Sequence, residues 1–294
     1  MTGTMTDDCL HRFLFDDLDI RGALVRLGPA WRAMIENRAY PAPVAQLLGE
    51  MSATTVLLGG QLKQPGRLTI QMRGSGPIAL LVIDCNEAAL QIRGMARCAE
   101  QPQPRSGLQL LGQGQLQLSL ETASMREPYQ SIVPLDGESI AEVFEHYLRH
   151  SDQMPARFFL AASSVAAAGL FLQKLPTAAE RDADGWARVE ALAATVQDAE
   201  LLSVPAEELL RRLFPEEIVR LFPARAVTHN CPENWEKVRS MLRALGPGEV
   251  YAALREQGEV VVKDDICNRD YRFDARAIDE LFRDSPSPTP PTLH

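Results

Sequence analysis

Between Leu68 and Leu120 the chain is a series of short β-forming runs separated by glycine: LTIQM, GSGP, IALLVID, QIRGMAR and LQLLGQGQLQLSL. Alternating apolar residues favour strands and the intervening glycines favour tight reversals, so the stretch predicts an antiparallel meander. The segment from Gly112 to Gly114, between two alternating runs, is expected to be its hairpin turn. Upstream, Trp31 to Asn37 and Ala42 to Leu62 carry helical spacing, with Pro41 and Pro43 as start signals. Downstream, Glu138 to His150 places Ile140, Val143, Phe144 and Tyr147 on one helical face, and a strand returns at Arg157 to Leu160. Residues 1–178 are therefore expected to form one α+β domain of mixed sheet and helix.

The texture then changes. From Thr177 to Pro223 the chain is charged and helical, with Trp186, Val189, Leu192 and Val196 at helical steps and Leu209, Leu210 and Leu213 in a second short helix. Residues 179–226 read as a helical linker with an apolar stripe, which packs as core or packs reversibly on the preceding sheet. Residues 227–284 read as a small α/β-hairpin module. Pro232 suits a first helical position, Gly246 and Gly258 close two helices, VVVK and YRF flank a DDICN turn, and Asp274 is placed to cap a last helix. The final segment, residues 285–294 (SPSPTPPTLH), is proline-rich and expected to be disordered.

Charge narrows the function classes. Asp and Glu number 39 against 30 Lys and Arg, a net charge of −9, and acidic residues outnumber basic ones even within the C-terminal module. A nucleic-acid backbone as main partner is disfavoured, because such binders present a basic face. The start, MTGTMTDDCLHRFLF, lacks the basic and apolar regions of a secretory signal. The segment from Phe158 to Leu172 is broken by two serines and shorter than the ~20 apolar residues of a membrane span. It reads as strand, turn, strand, and no membrane partner is expected. Five cysteines, an odd number, suit a reducing compartment and a cytoplasmic location.

The C-terminal module is too small to rely on apolar burial alone and calls for a staple. Its candidates are His229 and Cys231, an H-x-C pair, and Asp264 and Cys267, a D-x-x-C pair. All four residue types can ligate zinc tetrahedrally, although the same residues also read as a surface histidine, a solvated acidic turn and two small buried thiols. No enzyme signature competes. Gly74 to Ala79 fits a loose G-x-G-x-x-A string but runs into a strand, and the phosphate-binding G-x-x-x-x-G-K-[ST] string is absent. Ser75 and Ser119 lack the nucleophile context, and His11, His146 and His150 have no Ser or Cys partner by spacing. His146 and His150, four apart on a helix, read as a polar face. Cys9, Cys85 and Cys98 read as small apolar residues or bystander thiols.

Ordered blocks along nearly the whole chain resemble the bacterial thirty-three-kilodalton heat-shock protein family, a family of redox-regulated holdase chaperones. They include CLHRFLF from Cys9, IRGALV from Ile20, YPAPV from Tyr40, QMRGSGPIAL from Gln71, IRGMAR from Ile92, GQGQL from Gly112, the run from Pro128 to Leu160, and CNRDYRFDARAIDELF from Cys267. The resemblance implies an ATP-independent chaperone of the stress response, not an enzyme, that binds unfolded client proteins and dimerises on activation. It also implies zinc held by C-x-C and C-x-x-C, with oxidation forming a disulfide in each pair, releasing the metal and unfolding the module. Here His229 and Asp264 stand at the first position of each pair, and Cys231 and Cys267 match the second. Neither within-pair disulfide can form, so a redox response rests on a Cys231–Cys267 link. A constitutive holdase, a zinc-module RNA- or ribosome-associated protein and a metal-dependent hydrolase are the competing expectations.

Overall fold

The computed structural model describes residues 8–62, 64–99, 107–151 and 153–283; the expected disordered tail, 285–294, lies outside them. The chain divides into two compact units, residues 1–230 and 231–294. In the first, β1 (Cys9–Phe15) and β2 (Ile20–Leu27) precede α1 (Pro29–Ile35) and α2 (Ala42–Gly59). Next come β3 (Gly66–Gly74), β4 (Ile78–Asn86), β5 (Gln91–Cys98), β6 (Gly114–Thr122), β7 (Tyr129–Pro134), α3 (Ile140–Ser151), β8 (Ala156–Ala162) and β9 (Ala167–Lys174). Four short helices follow, α4 (Ala178–Arg181), α5 (Gly185–Ala193), α6 (Asp198–Ser203) and α7 (Ala206–Leu213), then β10 (Val219–Leu221), β11 (Arg225–Ala226) and β12 (Thr228–His229). The second unit contains α8 (Trp235–Leu245), α9 (Pro247–Gln257), β13 (Val260–Asp264), β14 (Arg269–Phe273) and α10 (Ala275–Arg283). The architecture is α+β, as the residue pattern predicts.

Two sheets carry the first unit. One has the order β10-β1-β2-β9-β8, with β11 also pairing β1, and the other β12-β5-β4-β3-β6-β7. The meander is present as β3, β4 and β5, all antiparallel, while β12 joins β5 in parallel. Helix α2 packs against strands of both sheets. It is buried nearly all round, which is why its apolar residues do not confine themselves to a stripe. Its fully buried Ser52, Thr54 and Thr55 donate their hydroxyls to the carbonyls of Leu48, Glu50 and Met51 at 2.6, 2.9 and 2.7 Å. Backbone acceptors within the helix thus satisfy polar groups that have no access to water.

The first sheet is buried on both faces. Leu10, Ala23, Val25, Leu27, Phe158 and Phe171 belong to the core that contains α2. Phe13, Phe15, Ile20, Leu24, Leu170 and Leu172 belong to a second core with Val189, Leu201, Leu209, Leu210, Leu213 and Phe214. The stretch expected as a linker, 179–226, therefore supplies that sheet with its second cover. Double-sided burial explains why β2 and β9 carry apolar residues at successive positions, ALV and LFL, without alternation. Gly22 serves this side: a Cβ there would lie 2.1 Å from the ring of Phe13, its cross-strand neighbour, so only glycine lets the ring lie over β2.

Two local expectations are corrected. The LQLL run is a short 3-10 turn, Gly107–Leu110, and not a hairpin strand, because Leu108, Leu110 and Leu111 all go into the core. Gly76 N–H donates to Leu111 O at 2.7 Å, clamping that turn onto the β3–β4 reversal. Helix α8 starts at Trp235 and not at Pro232, since the Asn234 side chain caps it by accepting from Lys237 N–H at 2.9 Å. At the start of helix α6, which the apolar spacing does not reveal, the Glu200 carboxylate accepts from Gln197 N–H at 3.2 Å.

On β4, Asp84 is buried with Arg67 bonded at 2.6 and 2.5 Å, Arg93 at 2.8 Å and Thr69 at 3.0 Å. Burial alone would push its carboxyl up; the Arg67 and Arg93 guanidiniums outweigh that and hold it below the usual carboxylate range. This stability is present above the unfolded carboxylate pKa, about 3.9, and disappears as pH falls through the lower folded value. Asp84→Asn should cost about 1–2 kcal/mol at neutral pH, a figure discounted because Arg67 is 45% exposed. It should also flatten the acid limb of the stability curve, as urea unfolding between pH 2 and 7 would show.

Candidate functional site

The second unit is organised around a hairpin. Strands β13 and β14 pair from Val260 with Phe273 to Asp264 with Arg269. In the turn between them the Asp264 carboxylate accepts the backbone N–H groups of Ile266 and Cys267, each at 3.1 Å. Asn268 adopts a left-handed φ of 48°, a conformation asparagine tolerates better than most residues. This local chemistry presents Cys267, which forms a disulfide with Cys231 over a Cα–Cα distance of 5.6 Å. Asp274 caps α10 through Ala277 N–H at 2.8 Å. Val238, Leu242, Val250, Val260, Tyr271, Phe273, Ile278 and Leu281 form the unit's core. Trp235 meets Tyr271 edge-on at 4.9 Å, and the Tyr271 hydroxyl accepts from Asn234 N–H at 2.9 Å.

Of the four candidate ligands, Cys231, Asp264 and Cys267 belong to this unit and His229 to the first. His229 sits on β12 beside Ile92 of β5, and burial, seconded by the Arg38 guanidinium, lowers its pKa so that it is held neutral. Among the described residues no three His, Cys, Asp or Glu side chains are grouped to hold an ion. The oxidised donor set does not fit zinc: two sulfurs bonded to each other carry no thiolate charge, and Asp264 Oδ1 is occupied by two backbone donors. Cys9, Cys85 and Cys98 are not in a disulfide, and burial pushes the Cys98 thiol up, away from the thiolate form that reacts.

In the first unit the second core of the double-covered sheet is the notable surface. Two arginines tie its helical cover down, and no spacing rule could have singled them out. Arg26 on β2, 8% exposed, donates to the carbonyls of Leu201, at 3.4 Å, and Val204 at the end of α6. A cation there meets the orphan carbonyls and the negative pole of the helix. Arg157 on β8 bonds Glu145 of α3 at 2.6 Å and also Glu190 of α5, so one side chain joins the sheet, α3 and the cover. Glu145 in turn accepts from Phe158 N–H at 2.8 Å. His146 and His150 keep their Nδ1 atoms 2.9 and 2.7 Å from the carbonyl oxygens of Asp136 and His146. They line a cleft of about 670 Å³ between β7 and α3, floored by Val133, Leu135, Val143 and Tyr147. The Gly74 to Ala79 string is the β3–β4 turn. No described helix is long and apolar enough to cross a membrane.

A loop closed over 36 residues of sequence stabilises a unit by roughly 4 kcal/mol on the chain-entropy estimate. Denaturing alkylation without reductant should label three cysteines, Cys9, Cys85 and Cys98, and all five after reduction, as peptide mass spectrometry would count. Asp264→Ala should remove the turn bonds at a cost of about 1 kcal/mol to the unit, read as faster amide exchange at Cys267.

Comparison with known proteins agrees with this architecture. The family model described as Hsp33 protein matches residues 8–274. A protein named 33 kDa chaperonin from Chromobacterium violaceum is 40% identical over 277 residues, covering 94% of each chain. Its namesake from Azotobacter vinelandii is 41% identical over 290 residues, covering 96% of this chain and 97% of that one. The crystal structure of the 33 kDa chaperonin (heat shock protein 33 homolog) from Thermotoga maritima superposes with a TM-score of 0.80 at 22% identity, covering 94% and 98% of the two chains. The match runs through both sheets, the helical cover and the C-terminal hairpin, and the chain belongs to the Hsp33 family.

Proposed function

We propose that the chain is an ATP-independent holdase chaperone that captures unfolding proteins through apolar surface and keeps them from aggregating. The observation that carries this reading is the second core: among the described residues, one face of the β10-β1-β2-β9-β8 sheet is covered by short helices, 4 to 9 residues long. Helices this short have little stability apart from their tertiary packing, so their cover can be released while α2 still holds the opposite face. Release exposes Phe13, Phe15, Ile20, Leu24, Leu170 and Leu172 together, a contiguous apolar patch of the kind that binds proteins. The relatives named 33 kDa chaperonin support the same reading.

On this reading the clients are unfolded proteins, the protein works in the cytosol without catalysing a reaction, and activated chains pair as homodimers. Loosening of the cover and of the C-terminal unit, brought on by heat or by a change in redox and metal state, is the activating event. Zinc held by His229, Cys231, Asp264 and Cys267 belongs to the reduced chain, where two thiolates are available; elemental analysis of reduced, dialysed protein tests it.

Light scattering from a thermally unfolding client enzyme should fall in proportion to added chain, equally with and without nucleotide. Leu209→Ala, which removes a buried side chain from the cover at a cost of about 2–5 kcal/mol, should lower the temperature at which protection begins and speed amide exchange across α5–α7. Scattering unchanged at every temperature, redox state and metal content would sink the holdase reading.

A further inference from the structure

Helix α3 presents a polar edge to the cleft that it forms with β7. His146 and His150 stand on that edge four residues apart, the spacing at which two imidazoles on one helical face reach the same ion. Their tautomers are fixed by their partners. Each Nδ1 lies against a backbone carbonyl oxygen, that of Asp136 for His146 at 2.9 Å and that of His146 for His150 at 2.7 Å. A carbonyl oxygen can only accept, so each Nδ1 donates, and in the neutral ring Nε2 then carries the lone pair. A metal-binding imidazole is built the same way: its other nitrogen donates to a carbonyl or carboxylate that orients the ring. The Asp136 carboxylate, with Oδ2 3.5 Å from His146 Nδ1, adds negative charge at that outer position. The rest of the helix holds the pair still. Ile140, Phe144 and Leu148 are buried, and Glu145 accepts from Phe158 N–H and pairs with Arg157. His150 lies in the last turn of α3, where the carbonyl end of the helix favours positive charge. His146 is 35% exposed and His150 is exposed, so both rings are open to ions from solvent.

We propose that His146 and His150 form a two-imidazole site for a divalent transition cation, Ni2+, Cu2+ or Zn2+, on the wall of the β7–α3 cleft, with Nε2 of each ring as the ligand. Imidazole nitrogen suits these ions, whereas Mg2+ and Ca2+ take oxygen. Among the described residues no third His, Cys, Asp or Glu joins the pair, so water in the cleft fills the remaining coordination positions. An ion held by two protein ligands exchanges readily and keeps positions open to a further ligand. The two rings depend on each other, because the first holds the ion beside the second. The site shares no residue with the set of His229, Cys231, Asp264 and Cys267, uses no thiolate, and is independent of the holdase reading.

The test titrates Ni2+, and separately Mg2+, into the untagged, disulfide-bonded, full-length chain at neutral pH by isothermal calorimetry. Ni2+ is chosen because, unlike Cu2+, it does not oxidise the thiols of Cys9, Cys85 and Cys98. Ni2+ should bind saturably with one ion per chain, and Mg2+ should give no binding heat. His146→Gln and His150→Gln should each weaken Ni2+ about tenfold or more, and the double substitution should abolish the saturable heat. His229→Gln should leave the titration unchanged. A second measurement needs no variant: paramagnetic Ni2+ should broaden the imidazole resonances of His146 and His150 before those of His11 and His229. A wild-type titration without saturable heat, an affinity that survives either single substitution at His146 or His150, or heat lost in His229→Gln overturns the site. Broadening that begins at His11 or His229 does the same.

Discussion

The first unit depends on one sheet being buried twice. Helix α2 closes one face of the β10-β1-β2-β9-β8 sheet with a continuous 18-residue rod, and the other face is closed by helices of at most 9 residues. The two covers are unequal in kind. The long helix packs against both sheets and cannot leave without dissolving the unit, whereas the short helices touch one surface and owe their helicity to it. Burying a side chain such as Leu209 or Phe214 stabilises by about 1.5–3 kcal/mol, so the cover holds only while most of its apolar residues sit down together. Arg26 and Arg157 make that docking specific by supplying cations where α6 ends and where Glu190 approaches the sheet.

The second unit solves a different problem with different chemistry. Its apolar core is small, and the covalent link between Cys231 and Cys267 staples it. Sulfurs joined in that bond have no thiolate charge to offer an ion: a thiolate pair can serve a metal or become a covalent bond, never both. His229, lowered in pKa by burial on a strand of the first unit, and Asp264, whose carboxylate is already bonded to its own turn, are each harder ligands than a thiolate, while Cys231 and Cys267 are joined to each other.

Much of this was legible in the residues. The β3–β4–β5 meander, α2, the hairpin around DDICN and the Asp274 cap follow from alternation, proline and glycine placement and capping chemistry, which are local. The failures are non-local. LQLL alternates like a strand but turns because three leucines are wanted in the core at once; β12 is two residues long and has no pattern to read. The stripe of Trp186, Val189, Leu192 and Val196 reads as packing on the preceding sheet, and it does, yet nothing in it names which strands it meets. Arg26 looks like any charged residue in a strand until the end of α6 is placed against it. At the candidate site, spacing pairs His229 with Cys231 and Asp264 with Cys267; the Cys231–Cys267 link came only with the family resemblance, and no spacing tells whether two sulfurs bind an ion or each other, because that is decided by electron supply.

The 36-residue separation of the two cysteines has a consequence for the birth of the molecule. Synthesis runs from the amino terminus, and domains fold as they emerge. Cys231 is therefore made before Cys267 exists, after all the residues of the sheets' strands β1 to β11 and their helical cover. Every chain begins with that sulfur as a thiol, and the ring can close only after Cys267 has been added and an oxidant has taken two electrons, so the bond is the last covalent feature of the unit to be made.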